Sequence, residues 1–388
     1  MSNASDATSN IGVVSKPSQG RRLALVLWNG DIGGAEVLNV TLAEHMHLLG
    51  ANITIVFVGT PWPLAERLAP AGLPYCSLNF NRGRDILRRP RRFAAALTRC
   101  GPDGTLLVER GFMGAVLRMG GYRGPIVAVE HGMLLLEQQG IAARHPLRRI
   151  SRVGGAWAAD AEVAVSDFML DRMCRHSHAH RTQRIYNGID PAVCLPALEA
   201  RSDRGLDLVV GFMGRLVPGK GTDHIIRALA QASRQISVKL LIAGDGPERS
   251  RLASLAHDLG ADPKIEFLGI VRDLPSFWRR CDVAAVPSET LESFSMVTLE
   301  AMACGTPIIA TQSGAIPELV IDSATGTLVP PSDVGALAKA LILYAEHPKL
   351  RSEHGAAARA RAIEHFHIED CARAYLDLFA ELAANPAG

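Results

Sequence analysis

Short apolar runs alternate along this chain with segments of helical spacing. The runs at 23–28, 53–58, 75–78, 105–108, 126–129 and 162–165 are apolar almost throughout instead of alternating with polar residues. That pattern predicts strands buried on both faces, as in a parallel sheet covered by helices. Between them, 35–49 has helical spacing and ends at Gly50, 64–69 reads as a short helix, and 85–99 as a basic helical stretch. The pattern restarts after the turn Tyr186-Asn187-Gly188-Ile189-Asp190-Pro191, with strands expected at 207–213, 238–243, 264–268, 283–286, 307–310 and 327–329. Helices are expected at 222–232, 247–259 and 296–304, the last stopped by Gly305. From Asp333 onward the spacing is helical, with breaks near Pro348 and Phe366. The implied fold is α/β: two Rossmann-like domains, 21–188 and 189–366, with their boundary near 188–206. Residues 1–20, polar and Ser-rich, read as a disordered tail without the apolar core of a signal peptide.

The conspicuous polar residues recur just after the predicted strands. Gly33 and Gly34 follow the first, and His131 follows 126–129. Arg215 and Lys220 follow 207–213, Gly244 follows 238–243, and Glu292 follows 283–286. Open α/β sheets bind ligands at the carboxyl ends of their strands, so two such sheets facing a central cleft would gather all these positions. Composition narrows the picture further. The net charge of +2 over 388 residues gives no reason to expect nucleic-acid binding. Seven scattered cysteines without a CxxC fit a reducing cytoplasm better than a disulfide framework or zinc site. No apolar run is long enough to span a bilayer.

Four motifs carry chemistry. Gly214-Arg215-Leu216-Val217-Pro218-Gly219-Lys220-Gly221 sets two cations and three glycines between a strand and a helix. Arginine offers a fork to phosphate oxygens, lysine a mobile point charge, and glycine lets backbone approach closely; together they suit a diphosphate. The spacing is not that of a Walker loop, and a solvated turn is the bland alternative. Gly33-Gly34-Ala35-Glu36 opens a helix either as a tight turn or as a phosphate-facing backbone; it is not a GxGxxG. His131 is either a structural histidine or a hydrogen-bond donor to substrate. Glu292 and Glu300 bracket the turn before the helix 296–304; they fit a general acid and base, an orienting pair for sugar hydroxyls, or two surface glutamates.

Two further features stand apart. His176, His178 and His180 form an HxHxH that reads as a polar surface loop in preference to a metal site. Arg82, Arg84, Arg88, Arg89, Arg91, Arg92 and Arg99 interleave with Ile86, Leu87, Phe93 and Leu97. Such a helix fits peripheral contact with an anionic membrane, a pyrophosphate-bearing or acidic acceptor, or simply a solvated face.

Taken together, Gly214-Arg215-Leu216 with Lys220-Gly221, Ala243-Gly244-Asp245-Gly246-Pro247-Glu248, Glu292 and Glu300 followed by Ala301-Met302-Ala303-Cys304-Gly305-Thr306-Pro307, and Gly314-Ala315-Ile316-Pro317-Glu318 resemble a family 4 retaining glycosyltransferase of the GT-B fold. Gly33-Gly34-Ala35-Glu36 and Asn187-Gly188-Ile189-Asp190 match as well; the resemblance weakens over 60–180. It implies transfer of a sugar from a UDP- or GDP-sugar to a saccharide, lipid-linked or small-molecule acceptor, with no metal cofactor, on the cytoplasmic side. It implies that Arg215 and Lys220 hold the donor diphosphate beside Gly214 and Gly244. Glu292 would bind the sugar, with backbone N–H groups of Phe294, Ser295 and Met296 on sugar or phosphate. Glu300 would take the ribose, Ile270 and Val271 the base, His131 the reacting centre, and Gly33 and Gly34 the phosphate side of the first domain. A last helix at 367–384 would cross back onto that domain. Ser295 stands where the family usually has glycine, and the Lys-x-Gly-Gly opening of glycogen-synthase-like relatives is absent. An epimerase of the same fold, a non-catalytic nucleotide-sugar-binding partner and, more distantly, a nicotinamide dehydrogenase are the rival readings.

Overall fold

The computed structural model describes residues 20–30, 34–80, 83–108, 112–132, 157–175, 181–194 and 208–385. The expected tail up to residue 19, Gly33, Arg82 and the HxHxH histidines lie outside them. The chain divides into two compact units, 1–188 with 368–388, and 189–367.

Among the described residues the first unit holds seven strands: β1 (Arg22–Leu27), β2 (Asn52–Phe57), β3 (Tyr75–Ser77), β4 (Thr105–Leu107), β5 (Ile126–Glu130), β6 (Ala161–Ala164) and β7 (Thr182–Arg184). They pair in parallel in the order β3-β2-β1-β4-β5-β6-β7. The second unit holds β8 (Leu208–Met213), β9 (Val238–Ala243), β10 (Ile265–Gly269), β11 (Val283–Val286), β12 (Ile308–Thr311) and β13 (Gly326–Val329). These are also parallel, in the order β10-β9-β8-β11-β12-β13. All residues of β5, β6, β11 and β12 are buried, which is why their sequences carry no period-two alternation.

Both sheets reverse their strand order beside their first strand, between β1 and β4 and between β8 and β11. At such a switch point the loops after the two adjacent strands diverge to opposite faces and leave a crevice between them. In the second unit those loops are 214–221 and 287–295, the two stretches richest in chemical motifs.

The last helix, Ile368–Ala384, packs against Gly34–Leu48 in the first unit, and its Phe379 closes on the turn at Gly104. The basic stretch is two helices, Gly83–Arg88 and Pro90–Cys100, where the sequence suggested one. Pro90 lacks the N–H that would continue the first helix, so it starts the second instead. Strand β7 and the helices Met113–Met119, Asp167–Cys174 and Leu274–Arg280 escape the hydrophobic pattern because each is short. No helix among the described residues is long and apolar enough to cross a membrane.

Candidate active site

The crevice beside β8 and β11 brings Lys220 and Glu292 together, 72 residues apart in sequence. Lys220 Nζ donates to Glu292 Oε1 at 2.8 Å, with the two side chains 31% and 14% exposed. Ser288 Oγ donates to the same oxygen at 2.6 Å. Arg215 lies on the same loop as Lys220 and is exposed to solvent. The two loops are laced by backbone: Glu289 and Thr290 both donate N–H to Gly219 O, at 2.9 and 3.2 Å. His224 Nε2 meets Glu289 Oε1 at 3.2 Å and ties the helix Thr222–Ala232 to the same loop.

Two glycines permit this closeness. Gly221 has φ 69°, and a Cβ there would sit 1.8 Å from Pro287 O. Gly314 has φ 60°, and a Cβ there would meet Glu292 O at 2.1 Å. The strand β12 edge completes the support. Thr311 Oγ1 donates to Ser288 O at 2.6 Å, Ser313 Oγ to Thr290 O at 2.7 Å, and Ala315 N to Glu292 O at 2.8 Å. These polar side chains went unnoticed in the sequence. Their one signal was position: Thr311 ends an apolar strand and Ser313 lies two residues beyond it.

The other positions expected at the donor site follow strands of the same sheet or open the helix after β11. Gly214 N donates to Ala243 O at 3.0 Å and Gly244 N to Gly269 O at 2.7 Å, so the ends of β8, β9 and β10 are stitched together. Ile270 follows directly and is 77% exposed, while Val271 is half-buried. The helix Met296–Ala303 starts at Ser295, whose side chain does not cap it. The first-turn N–H groups therefore remain available to an anion. Ser295 adopts φ 57° and ψ 80°, and its hydroxyl lies 2.7 Å from Thr298 Oγ1. Phe294 turns its ring inward, edge-on to Phe366 with centroids 5.8 Å apart, so only its backbone faces the loop. Burial pushes the Glu300 carboxyl up to about 8.

Gly34 and His131 belong to the first unit. A Cβ on Gly34 would meet nothing within 4 Å, so space and not conformation marks this position. His131 follows β5, and burial lowers its pKa to about 4, which keeps it neutral at pH 7. Glu130 beside it is buried and accepts from Gly132 N at 2.9 Å. On the helix Pro90–Cys100, Phe93, Ala94, Ala96 and Leu97 are buried and Arg91, Arg92 and Arg99 exposed. Leu87, Arg88 and Arg89 extend the exposed face, Leu87 at 54%.

Comparison with known proteins bears on both units. The model of glycosyl transferases group 1 matches residues 200–361, and that of Glycosyltransferase Family 4 matches residues 32–193. The chain is 33% identical over 270 residues to the GDP-mannose-dependent alpha-(1-6)-phosphatidylinositol monomannoside mannosyltransferase of Mycolicibacterium smegmatis, covering 66% of this chain and 69% of that protein. It is 30% identical over 384 residues to the D-inositol 3-phosphate glycosyltransferase of Mycolicibacterium paratuberculosis, covering 88% and 84%. The match to the same enzyme of Mycobacterium sp. (strain KMS) spans only 57% of that protein. Among solved structures, Anabaena Alr3699/HepE in complex with UDP and glucose superposes with a TM-score of 0.80 at 22% identity, over 93% of this chain and 99% of that one. Sucrose-phosphate synthase from Thermosynechococcus elongatus gives 0.78 at 22%, over 94% and 99%. These structural likenesses establish the fold.

Proposed function

The chain belongs to glycosyltransferase family 4 of the GT-B fold and is a glycosyltransferase, and from that premise we propose that it moves a sugar from a UDP- or GDP-sugar to an acceptor hydroxyl with retention at the anomeric carbon. The observation that carries this reading is the Lys220–Glu292 pair, 2.8 Å apart at the switch point of the second sheet. A cation and a carboxylate held together there can divide between the two halves of a donor. The diphosphate draws Lys220, and the sugar hydroxyls turn to Glu292.

The barrier to glycosyl transfer lies in separating a negative diphosphate from a sugar that becomes cation-like. Arg215, Lys220 and the uncapped N–H groups after Ser295 stabilise the leaving diphosphate, so the protein's own charges serve where a metal ion otherwise would. Glu292 orients the sugar, and Glu300 takes the ribose. Ile270 and Val271 border the base, with Gly214 and Gly244 beside the phosphates. The acceptor attacks the face the diphosphate leaves, and the diphosphate helps remove its proton. For the first unit, the family resemblance assigns neutral His131 to the reacting centre and Gly33 and Gly34 to the phosphate side, and the open space at Gly34 fits that assignment.

The relatives named above carry inositol-based compounds in their names, in one case a phosphatidylinositol monomannoside. Together with the arginine face of 88–99, this supports a lipid-linked or polyol-type acceptor in glycoconjugate synthesis. The protein would then work in the cytoplasm, peripheral at the inner face of an anionic membrane. Glycosylation of a small metabolite is the alternative that the same donor site permits.

The test is calorimetric titration with UDP, GDP and their sugars, followed by transfer assays on the donor that binds tightest. Arg215→Ala and Lys220→Ala are expected to lower turnover by 100-fold or more, on the scale of losing an oxyanion-type donor of about 3 kcal/mol. Activity should survive EDTA. Unchanged turnover in both variants would remove the diphosphate assignment. Epimerised sugar from donor alone would favour an epimerase.

A further inference from the structure

Glu292 Oε1 receives two donors, and they differ in what becomes of them during binding. Lys220 is on a long, 31% exposed side chain, and under the reading above the diphosphate draws it away. Ser288 is 2% exposed and has a single rotatable hydroxyl, 2.6 Å from the same oxygen. Its own backbone is held from behind, because buried Thr311 donates to Ser288 O at 2.6 Å. Among the described residues no hydrogen bond reaches Glu292 Oε2, so the second oxygen is the one presented to a ligand.

We infer that Ser288 is the positioning residue for Glu292: its hydroxyl holds Oε1 in place so that Oε2 keeps facing the donor sugar after Lys220 has turned to the diphosphate. A carboxylate 14% exposed needs a fixed donor, and a side chain that loses its only remaining one rotates to find another. The loop is built to keep that donor still. Thr311 at the end of β12 pins Ser288, and from the segment just after it Ser313 pins Thr290 and Ala315 pins the Glu292 carbonyl. Ser288 touches neither substrate nor reacting atom; it acts through the glutamate.

The inference rests on the donor-site reading, and one set of titrations separates the two. Wild type, Ser288→Ala, Ser288→Thr, Glu292→Ala and Ser288→Ala/Glu292→Ala are each titrated with UDP, GDP, UDP-glucose, UDP-N-acetylglucosamine, GDP-mannose and ADP-glucose. The readout is the gain in affinity that the sugar adds over the bare nucleotide. Ser288→Ala is expected to cut that gain about tenfold, the loss of one hydrogen bond to a charged group, while bare-nucleotide affinity stays within about twofold. Ser288→Thr keeps the hydroxyl and should restore the gain. In the Glu292→Ala background the same change should cost less than about twofold, because the two residues act as one unit. Equal loss for bare nucleotide and nucleotide sugar would make Ser288 merely structural and overturn the inference. So would an undiminished gain in Ser288→Ala, or a full additional loss in the double variant. If Glu292→Ala keeps the whole gain, or wild type binds none of the six compounds, the donor-site reading itself falls and the inference with it.

Discussion

Ser295 holds a backbone conformation, φ 57° and ψ 80°, that glycine adopts freely and a residue with a Cβ does not. The hydroxyl's contact with Thr298 Oγ1 at 2.7 Å offsets part of that strain. Replacement by alanine keeps the Cβ and loses the contact; replacement by glycine loses both. Ser295→Gly is therefore expected to be more stable than Ser295→Ala by about 1 kcal/mol in urea unfolding, and to bind donor at least as well as wild type. A glycine variant less stable than the alanine variant would show that strain is not what governs this position. Arg215, Lys220 and Glu292 were legible residue by residue, because cations and carboxylates beside turn glycines announce themselves. Ser288, Thr311 and Ser313 were not, since a serine or threonine after a strand is ordinary until its partner is known.

The paired helices Gly83–Arg88 and Pro90–Cys100 show how an element decides what its residues do. The arginines were visible in the sequence, and the buried set Phe93, Ala94, Ala96 and Leu97 now fixes which side faces out. Arg92 is partly engaged, its guanidinium 5.4 Å over the Phe80 ring, whereas Arg88, Arg91 and Arg99 are exposed. Reversing those three (Arg88→Glu, Arg91→Glu, Arg99→Glu) is expected to weaken sedimentation with phosphatidylserine-containing vesicles by 100-fold or more, at about 1 kcal/mol per basic residue. Wild-type binding should also fall as salt rises. Equal binding to neutral phosphatidylcholine vesicles, or indifference to the triple reversal, would return this face to the role of a solvated surface. The break at Pro90 was readable in principle, because proline starts helices more readily than it continues them. It was overridden by the unbroken run of helix-favouring spacing around it.

At the scale of the whole molecule, stability should carry the mark of Glu300. Its folded pKa of about 8 lies above the ordinary 4.5, so the folded state holds a proton that the unfolded chain releases. Its contribution to stability is complete below about pH 4.5 and is lost as pH rises through about 8. Glu300→Gln stays neutral throughout. The urea midpoint of wild type is therefore expected to fall relative to that of Glu300→Gln between pH 5 and pH 8, and parallel curves would place the carboxyl in a polar setting. His131 works in the opposite sense. Its lowered pKa leaves its contribution intact above about 6.5 and weakens it as pH falls towards 4.

The sequence by itself determined the class of fold, because strands buried on both faces must be apolar without alternation, and such strands separated by helices form parallel sheets. It also determined that cations, glycines and glutamates stand after strands, since motif spacing survives without coordinates. What the tertiary structure decided was partnership. The strand order, with β8 beside β11, is set by long-range pairing that no local pattern encodes, and that order alone brings Lys220 to Glu292. Glu292 and Glu300, equivalent on paper, were then separated by environment. One is tied to a lysine and a serine at the crevice, and the other is held in a burial that favours its neutral form.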